Sequence, residues 1–451
     1  MKRHFFGIPW KLCFLSTLVL PLTCSAEVEA RAPKKQEHSA KKKTTKNTPQ
    51  QSPQTPTPEQ EGDAPQAEPL FGSHFLLQDF PPTEAREVVL KDFDSDMVLF
   101  SKNADVLMTP SSMTKIATAC FIARKIKSGE LSPAIEFSVS SHAYRREGTT
   151  MFLNINQKVS VSKLLEGLLV VSGNDAAVVL SEGVCGSEAA FGAELTSFVR
   201  SFGALSTTFV NGSGLPDPAH KTTAQDLALI ATHAIAAYPE IYPLYSQKEL
   251  TFNGVPQHTK NVLLDRDIGC DGLKTGMTAE GGYGIVASCV QEGRRLILVA
   301  NGYKNEKDRA NNASALMTWA YRMFVNHGLY KANDPIAKLP VWYGNESFLP
   351  VIVEEDVWIT LPRASQYDVK ILLCYDTPLA APIEKGAAVG EIQMTSSSWK
   401  KPVVIPLVAA ESIREASFFK KISDSLAYLL FGIKNPPALS QEAKKQKRGE
   451  S

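Results

Sequence analysis

The sequence predicts an α+β protein in which a mixed helix-and-strand domain is followed by a small all-β domain. In the first part of the chain, strand patterns stand at both ends of a long helical stretch, which is typical of the α+β class. Beyond about residue 340 the pattern changes to short alternating strands separated by Pro and Gly. The chain has 451 residues, 43% of them hydrophobic, which is enough for two or three domains.

The first domain is expected over residues 71–330. It opens with REVVLKDFD and MVLFSKN, which alternate around an acidic turn and predict a β-hairpin. Helical periodicity then predicts helices in SSMTKIATACFIARKIKSGE, SVSKLLEGLLVVSGNDAAVVLSEGV and SEAAFGAELTSFVRSFGA. The β-branched runs YGIVASCV and RRLILVANGY predict paired strands. The stretch RANNASALMTWAYRMFVNHG predicts a closing helix that ends at Gly328.

The second domain is expected over residues 335–410, with strands in FLPVIV, DVWITL, DVKILLCYD, AAVGEIQM and PVVIPLVA. Residues 411–434 predict an amphipathic helix, and residues 435–451 form a basic tail. Charges interrupt the apolar face of this helix, so it is not expected to span a bilayer. It either packs on the β-domain or lies in a membrane interface. Its apolar positions recur at i, i+3 and i+4 spacing: Phe418, Phe419, Ile422, Leu426, Leu429, Leu430 and Ile433.

The N-terminus predicts export. Lys2 and Arg3 precede the apolar run Leu12–Leu22, and small residues around Ala26 offer a cleavage site, so residues 1–26 are interpreted as a signal peptide. An uncleaved anchor, or lipidation of Cys24, is the alternative. Residues 27–70 hold almost no large apolar side chains and predict a disordered linker, since such a segment cannot bury enough surface to offset its ordering entropy.

Charge and cysteine content exclude several classes of function. The formal net charge of +1 gives no strong field for nucleic acid. Five cysteines would remain after cleavage, scattered and without C-x-x-C spacing, so neither a metal site nor a disulfide framework is expected. The histidines His142, His220, His233 and His258 are interpreted as surface or turn residues. No metal and no other cofactor is predicted.

Three short motifs stand in order along the chain: SSMTK at Ser111–Lys115, SGN at Ser172–Asn174 and KTG at Lys274–Gly276. S-x-x-K alone is a weak pattern, since it recurs elsewhere, for example at Ser397/Lys400. The three motifs in this order predict a serine acyl-transfer site that uses a lysine as its base.

Ser112 is the predicted nucleophile and Lys115 its general base. Three residues apart at the start of a helix, their side chains lie on one face. A lysine serves as a base only if burial and a second cation depress its pKa, and Lys274 can supply that cation. The alternative for Ser111 and Ser112 is a helix-capping pair without chemistry.

The other two motifs supply polar groups around the nucleophile. The Ser172 hydroxyl can relay a proton to the leaving group and Asn174 can hydrogen-bond a substrate amide, although SGN also suits a plain turn between helices. The charge of Lys274 and the hydroxyl of Thr275 suit a substrate carboxylate. Gly276 lets a substrate backbone approach closely.

The residues around the motifs carry a family resemblance. The stretches PSSMTKIAT, LLEGLLVVSGNDAAVVLSE, DGLKTGMTAEGGYGIVAS and PLAAPIEKGAAVGEI are similar to the D-alanyl-D-alanine carboxypeptidases, the low-molecular-weight penicillin-binding proteins of bacterial envelopes. The resemblance runs from roughly Leu76 to about Gly432. It implies a serine transpeptidase/β-lactamase-like catalytic domain with a five-stranded antiparallel sheet, followed by a β-sandwich.

The resemblance also implies roles for single residues. It implies an oxyanion hole made by the backbone N–H groups of Ser112 and Met277, although the family usually has His or Tyr at the position of Met277. Arg309 matches a family arginine near the carboxylate site, and Lys260 stands where the family usually carries arginine. Either cation could hold a terminal carboxylate.

The function implied is a carboxypeptidase that removes the terminal D-alanine from peptidoglycan stem pentapeptides and binds β-lactams. It would act in the periplasm, attached to the anionic surface of the inner membrane through its C-terminal helix. Three alternatives remain: a class A β-lactamase, an endopeptidase and a non-catalytic envelope scaffold. The first needs a glutamate motif, E-x-x-L-N, that the sequence lacks after Asn174. The first two usually lack a β-domain, and a scaffold has no need of the three motifs.

Overall fold

A computed structural model of the chain describes residues 71–76, 80–376 and 378–431. The predicted signal peptide (1–26), the linker (27–70), the last residues of the predicted C-terminal helix (432–434) and the basic tail (435–451) lie outside the described residues.

The first domain combines strands and helices, as the sequence predicts. Its strands are β1 Phe71–Gly72, β2 Glu87–Asp92, β3 Val98–Lys102, β4 Glu136–Ser138, β5 Lys158–Ser160, β6 Glu249–Phe252, β7 Val255–His258, β8 Cys270–Thr278, β9 Gly282–Gln291 and β10 Arg294–Tyr303. Its helices are α1 Lys115–Lys127, α2 Ser141–Tyr144, α3 Val161–Val170, α4 Asn174–Cys185, α5 Glu188–Ser201, α6 Ala224–Ala237 and α7 Glu306–Met323. Short 3₁₀ turns cover Ser111–Thr114, Tyr242–Ser246 and Val262–Asp265.

The central sheet has the strand order β1-β3-β2-β10-β9-β8, and every neighbouring pair is antiparallel. The predicted hairpin is β2–β3, and the predicted paired strands are β9 and β10. The sheet thus has six strands where five were expected, because the two-residue strand β1 extends the edge beyond β3. At the opposite edge, β8 carries the KTG motif, so this motif has one free strand side on which a substrate can lie.

Both faces of the sheet are buried, which explains the continuous apolar runs in its strands. Successive side chains of a strand point to opposite faces. In β2, Val89 joins a core formed with helices α1 and α3–α6, whereas Val88 and Leu90 join a second core on the side of α7. The helical layer that carries the SSMTK and SGN motifs is therefore held against one face of the sheet.

The closing helix α7 ends at Met323, five residues before the predicted end at Gly328. Residues Phe324–Tyr330 form strand β11, which pairs with a strand of the second domain. The apolar and β-branched pair Phe324-Val325 suits either a helix or a strand, and the hydrogen bonds that decide between them come from a partner far along the chain. The boundary between the two domains accordingly lies near residue 324.

The second domain is all-β, as predicted. Its strands are β11 Phe324–Tyr330, β12 Ala337–Trp342, β13 Phe348–Ile352, β14 Val357–Pro362, β15 Lys370–Cys374, β16 Leu379–Ala380, β17 Ala388–Thr395 and β18 Val403–Ala409. Strands β15-β17-β18-β13-β12-β16 form one sheet and β11 pairs with β14 in a second. A 3₁₀ turn covers Arg363–Ser365. The final helix, α8, spans Phe418–Phe431, so it begins seven residues after the predicted start at residue 411.

None of the helices in the described part of the chain is both long and apolar enough to cross a membrane.

One cysteine expectation needs correction. Cys270 on β8 and Cys289 on β9 form a disulfide, whereas Cys120 and Cys185 are free thiols. The two bonded cysteines are 19 residues apart in sequence, but the antiparallel register places them directly opposite each other. Spacing in the sequence does not reveal this pairing, because it depends on the register of the hairpin.

Candidate active site

The SSMTK motif forms a tight turn that leads into helix α1. Ser112 lies within the 3₁₀ turn Ser111–Thr114, and Lys115 is the first residue of α1. The Lys115 ammonium nitrogen Nζ lies 2.9 Å from the Ser112 Oγ. It also lies 2.8 Å from Oδ1 of Asn174 and 2.6 Å from the carbonyl oxygen of Ser213. The predicted nucleophile and base are therefore in hydrogen-bond contact.

Burial makes Lys115 a candidate base. Its side chain is 0% exposed, and this burial is the main reason why its pKa is well below the usual value of a lysine. The positive charge of Lys274 lowers the pKa further, whereas the carboxylate of Asp175 raises it. A lowered pKa favours the neutral amine, which is the form that can accept the proton of Ser112.

The SGN motif lies in the break between two helices. The sequence predicted one continuous helical stretch here, but α3 ends at Val170 and α4 begins at Asn174. Between them Ser172 has a φ of +64°, a strained conformation for a residue other than glycine. Ser172 is 5% exposed, and its carbonyl accepts a hydrogen bond from Thr149 Oγ1 at 2.9 Å. Asn174 donates from Nδ2 to the carbonyl of Glu147 at 2.8 Å.

The KTG motif lies on the edge strand β8, facing the nucleophile turn. Lys274 is 4% exposed, and burial followed by the charge of Arg309 lowers its pKa to about 7. A side chain at Gly276 would put its Cβ 2.9 Å from Cβ of Ser111 and 3.2 Å from the backbone nitrogen of Ser112. The glycine is thus required by the close approach of the enzyme's own nucleophile turn. Met277 follows at the rim with 56% of its surface exposed.

Arg309 and Lys260, the two candidates for holding a terminal carboxylate, differ in burial and contacts. Arg309 is 3% exposed and its Nη2 is 2.6 Å from a Glu306 carboxylate oxygen and 3.2 Å from the carbonyl of Lys260. The side chain of Lys260 is exposed, so this residue contributes its backbone to the site. Arg309 lies behind Lys274 and adds positive charge to the cleft.

A turn at Asn211–Leu215 holds Lys115 and was missed as part of the site. The Asn211 side chain accepts hydrogen bonds from the N–H groups of Ser213 and Gly214 and donates to the carbonyl of Leu215. These three hydrogen bonds fix the turn. Gly214 has a φ of +80°, and a Cβ there would lie 1.8 Å from the Ser111 carbonyl oxygen. No signal in the sequence points to the Ser213 carbonyl as a partner of Lys115.

His220 corrects part of a second expectation: its N–H closes a turn with the carbonyl of Asp217, but it is fully buried and not a surface residue. Its Nδ1 accepts a hydrogen bond from the Val210 N–H at 3.1 Å. Its Nε2 is therefore the protonated nitrogen and donates to Thr114 Oγ1 at 2.9 Å. Thr114 in turn donates to the carbonyl of Ser111. Burial lowers the pKa of His220 to about 4, so a neutral imidazole supports the nucleophile turn.

Asp175, directly after the SGN motif, was also missed. It is 2% exposed, and its carboxylate accepts hydrogen bonds from the backbone N–H groups of Met151, Leu153 and Ala176. The residue ties the segment after Glu147 to the start of α4. The similarity of NDAA to the family was the only sequence feature that pointed to it.

A serine hydrogen-bonded to a buried lysine, opposite a Lys-Thr-Gly edge strand, defines a class of serine acyl-transfer enzymes. Comparison with protein families specifies the class further. The profile of the D-alanyl-D-alanine carboxypeptidase family, peptidase S11, matches residues 77–305. The profile described as penicillin-binding protein 5, C-terminal domain, matches residues 324–415. The chain belongs to the D-alanyl-D-alanine carboxypeptidase family.

Individual relatives and solved structures agree. The D-alanyl-D-alanine carboxypeptidase DacA of Escherichia coli K12 is 33% identical over 357 residues, covering 77% of this chain and 88% of the relative. DacD of Salmonella typhimurium is 34% identical over 352 residues, covering 76% and 90%. The structure of penicillin-binding protein 5 from Haemophilus influenzae superposes with a TM-score of 0.72 at 32% identity, covering 75% of this chain and all of that one.

Proposed function

We propose that this protein removes the terminal D-alanine from peptidoglycan stem pentapeptides by way of an acyl-enzyme on Ser112. The observation that supports it most is the 2.9 Å contact between Nζ of the fully buried Lys115 and Oγ of Ser112. A serine hydroxyl becomes an effective nucleophile when an adjacent base takes its proton. Lys115 has the contact and the lowered pKa that this role requires.

The proposed reaction has two halves. Ser112 Oγ attacks the carbonyl carbon of the D-Ala–D-Ala amide while Lys115 takes the hydroxyl proton. The oxyanion is stabilised by the backbone N–H groups of Ser112 and Met277. The amide bond then breaks, and D-alanine leaves with the proton, relayed through Ser172. Water attacks the acyl-enzyme in the second half, which releases the shortened peptide and returns the proton to Ser112.

Substrate binding in this proposal depends on the cations beside the cleft. Lys274 and Thr275 on the edge strand β8 would hold the free carboxylate of the terminal D-alanine, with Arg309 adding charge from behind Lys274. To bind a substrate amide, Asn174 would exchange one of its present contacts, with Nζ of Lys115 at 2.8 Å or with the carbonyl of Glu147 at 2.8 Å. A β-lactam presents the same carboxylate and an acylating carbonyl, so the same groups would bind penicillin.

The direct test is incubation with a disaccharide pentapeptide followed by mass spectrometry. Loss of a single alanine supports the carboxypeptidase, and the Ser112→Ala variant should show none. A cross-linked muropeptide dimer is incubated in parallel. Cleavage of the dimer with an intact pentapeptide would contradict the proposal and indicate an endopeptidase.

We further propose that helix α8 attaches the protein to the outer face of the inner membrane, which places the enzyme in the periplasm. The polar side of α8 faces the second domain: Lys420 donates to the carbonyl of Gly344, and Ser425 is 3.0 Å from the Tyr343 hydroxyl. The apolar side is turned away, with Phe419 82% and Leu429 84% exposed. A helix with one exposed apolar face suits the boundary between headgroups and acyl chains.

Co-sedimentation with anionic liposomes tests the membrane proposal. The protein without its signal peptide should bind, and truncation after Ala410 should abolish binding. The double variant Phe419→Glu/Leu429→Glu should bind as weakly as the truncated form. The matched control Ser417→Glu/Ser423→Glu adds the same charge to exposed polar positions of the same segment and should bind far better. Equal binding by the full-length and truncated proteins would reject the anchor.

A further inference from the structure

A cavity of about 790 Å³, with both charged and apolar residues in its lining, lies where the catalytic domain meets the β-domain. It opens between the β9–β10 turn, the C-terminal end of α7 and strands β11 and β14. We call it the junction cavity. It is large enough to hold several residues of a peptide or a sugar unit.

Three guanidinium groups line the junction cavity, and those of Arg322 and Arg363 are open to a ligand. Arg294 pairs with Asp92 through Nε and donates from Nη1 to the carbonyl of Phe324, and its buried Nη2 has no hydrogen-bond partner within residues 71–76, 80–376 and 378–431. Arg322 and Arg363 also line the cavity, both exposed. Neither forms a salt bridge with any carboxylate in the described ranges of the chain. Guanidinium groups arranged in this way suit ligands with carboxylates.

The same cavity also holds two carboxylates and an aromatic wall. Asp94 and Glu292 line it and are exposed, so a positive group of a ligand has partners as well. Trp358 adds an apolar surface to the lining. Together these groups complement a ligand that has free carboxylates, an amino group and an apolar or sugar face.

The junction cavity is separate from the catalytic cleft. Strand β9 connects them, since Ile285 pairs with Thr275 of the KTG motif, whereas Gln291 lines the cavity. Six residues of extended strand span roughly 20 Å. The junction cavity and the KTG motif are therefore at different positions along β9.

We propose that the junction cavity is a second binding site for peptidoglycan, which takes a stem peptide that is not being cleaved. The inference depends on the proposed function, because that function brings the polymer to the enzyme. A stem peptide offers the required chemistry: free carboxylates, the amino group of its diamino acid and an attached amino sugar. Since stem peptides repeat along the glycan, binding of one at the cavity holds its neighbours near the cleft, which raises their effective concentration there.

The test is isothermal titration calorimetry with the catalytic site blocked. The purified protein is first acylated with penicillin, and intact mass confirms that the block is complete. It is then titrated with a disaccharide tetrapeptide, the product of the proposed reaction. We expect binding, weakened at least tenfold in the variant Arg322→Gln/Arg363→Gln. The matched control Lys338→Gln/Arg414→Gln removes two exposed cations of the second domain that do not line the cavity and should bind normally.

Three outcomes would overturn the inference: no binding to the acylated protein, equal binding by the Arg322→Gln/Arg363→Gln variant, or equal binding of the disaccharide without its peptide. Competition by inorganic phosphate at the same concentration would indicate a general anion site and would also overturn it. If the unblocked protein releases D-alanine normally, any of these results would reject only the proposal about the junction cavity. Failure to release D-alanine would reject the proposed function itself.

Discussion

The amine of Lys115 and the hydroxyl of Ser112 lie 2.9 Å apart, with Lys115 fully removed from solvent. Two further oxygens, from Asn174 and Ser213, hold the amine in place. Its pKa is lowered first by burial and then by Lys274. The geometry and the lowered pKa of Lys115 therefore support the same role, that of the general base for Ser112.

Replacing Lys115 with Ala should slow acylation by penicillin by about 10²–10⁴-fold, because the general base is lost. Stopped-flow kinetics with a chromogenic β-lactam measures the rate, and thermal unfolding checks that the variant is folded. Lys115→Arg serves as the control, since it keeps the charge but cannot lose a proton, and it should be slow as well. Acylation at the normal rate by either variant would exclude the lysine-base mechanism.

The pH dependence of kcat/KM should have two limbs. As pH falls, Lys115 becomes protonated and the base is lost. As pH rises through about 7, Lys274 loses its proton, and with it the attraction for the substrate carboxylate. Because kcat/KM reports the free enzyme, the alkaline limb should move to higher pH in Lys274→Arg, since arginine stays protonated. An unchanged alkaline limb would show that Lys274 is not the titrating group.

Arg309→Ala should lower kcat/KM for substrates that end in a free carboxylate more than for the corresponding C-terminal amides. Arg309 contributes positive charge behind Lys274, and an amide has no charge to attract. The ratio of kcat/KM for the two substrates measures this effect. Arg266→Ala is a suitable control, because Arg266 also contacts α7 but bonds to Ala310, Asn311 and Ser314. An equal loss for both substrates would mean that Arg309 has a structural role only.

His220 should make the protein less stable in mild acid. Its pKa falls from 6.5 in the unfolded chain to about 4 in the folded protein, so the unfolded state binds more protons between these values. The stability contributed by the neutral imidazole is complete above pH 6.5 and is lost as pH falls towards 4, by about 3 kcal/mol. Urea unfolding at several pH values measures it. In His220→Gln this part of the pH dependence should disappear, and an unchanged slope would contradict the assignment.

Much of the fold could be predicted, because the strands and helices of the catalytic domain have strong patterns of their own. The strand pairs β2–β3 and β9–β10 and the helix α1 follow from local periodicity. The end of α7 could not be predicted in the same way. Strand β11 depends on hydrogen bonds to β14, whose residues lie some thirty positions further along. The Cys270–Cys289 disulfide depends likewise on strand register.

In the candidate site, too, some residues could be predicted from local sequence patterns and others depend on tertiary packing. The three motifs predict this chemistry from their order and spacing. The structure brings their residues Ser112, Lys115, Asn174 and Lys274 together. The Ser213 carbonyl and His220 could not be found this way. A backbone carbonyl has no residue signature, and a lone histidine in a loop is more often exposed than buried. Tertiary packing alone places both groups beside the nucleophile turn.

Covalent labelling by penicillin tests the central claim most directly. The purified protein is incubated with penicillin, and intact mass and peptide mapping locate the adduct. We predict one adduct, on Ser112, and none in Ser112→Ala. Ser397→Ala, which removes the serine of another S-x-x-K sequence, should still be labelled fully. An adduct that persists in Ser112→Ala would contradict the assignment of Ser112 as the nucleophile.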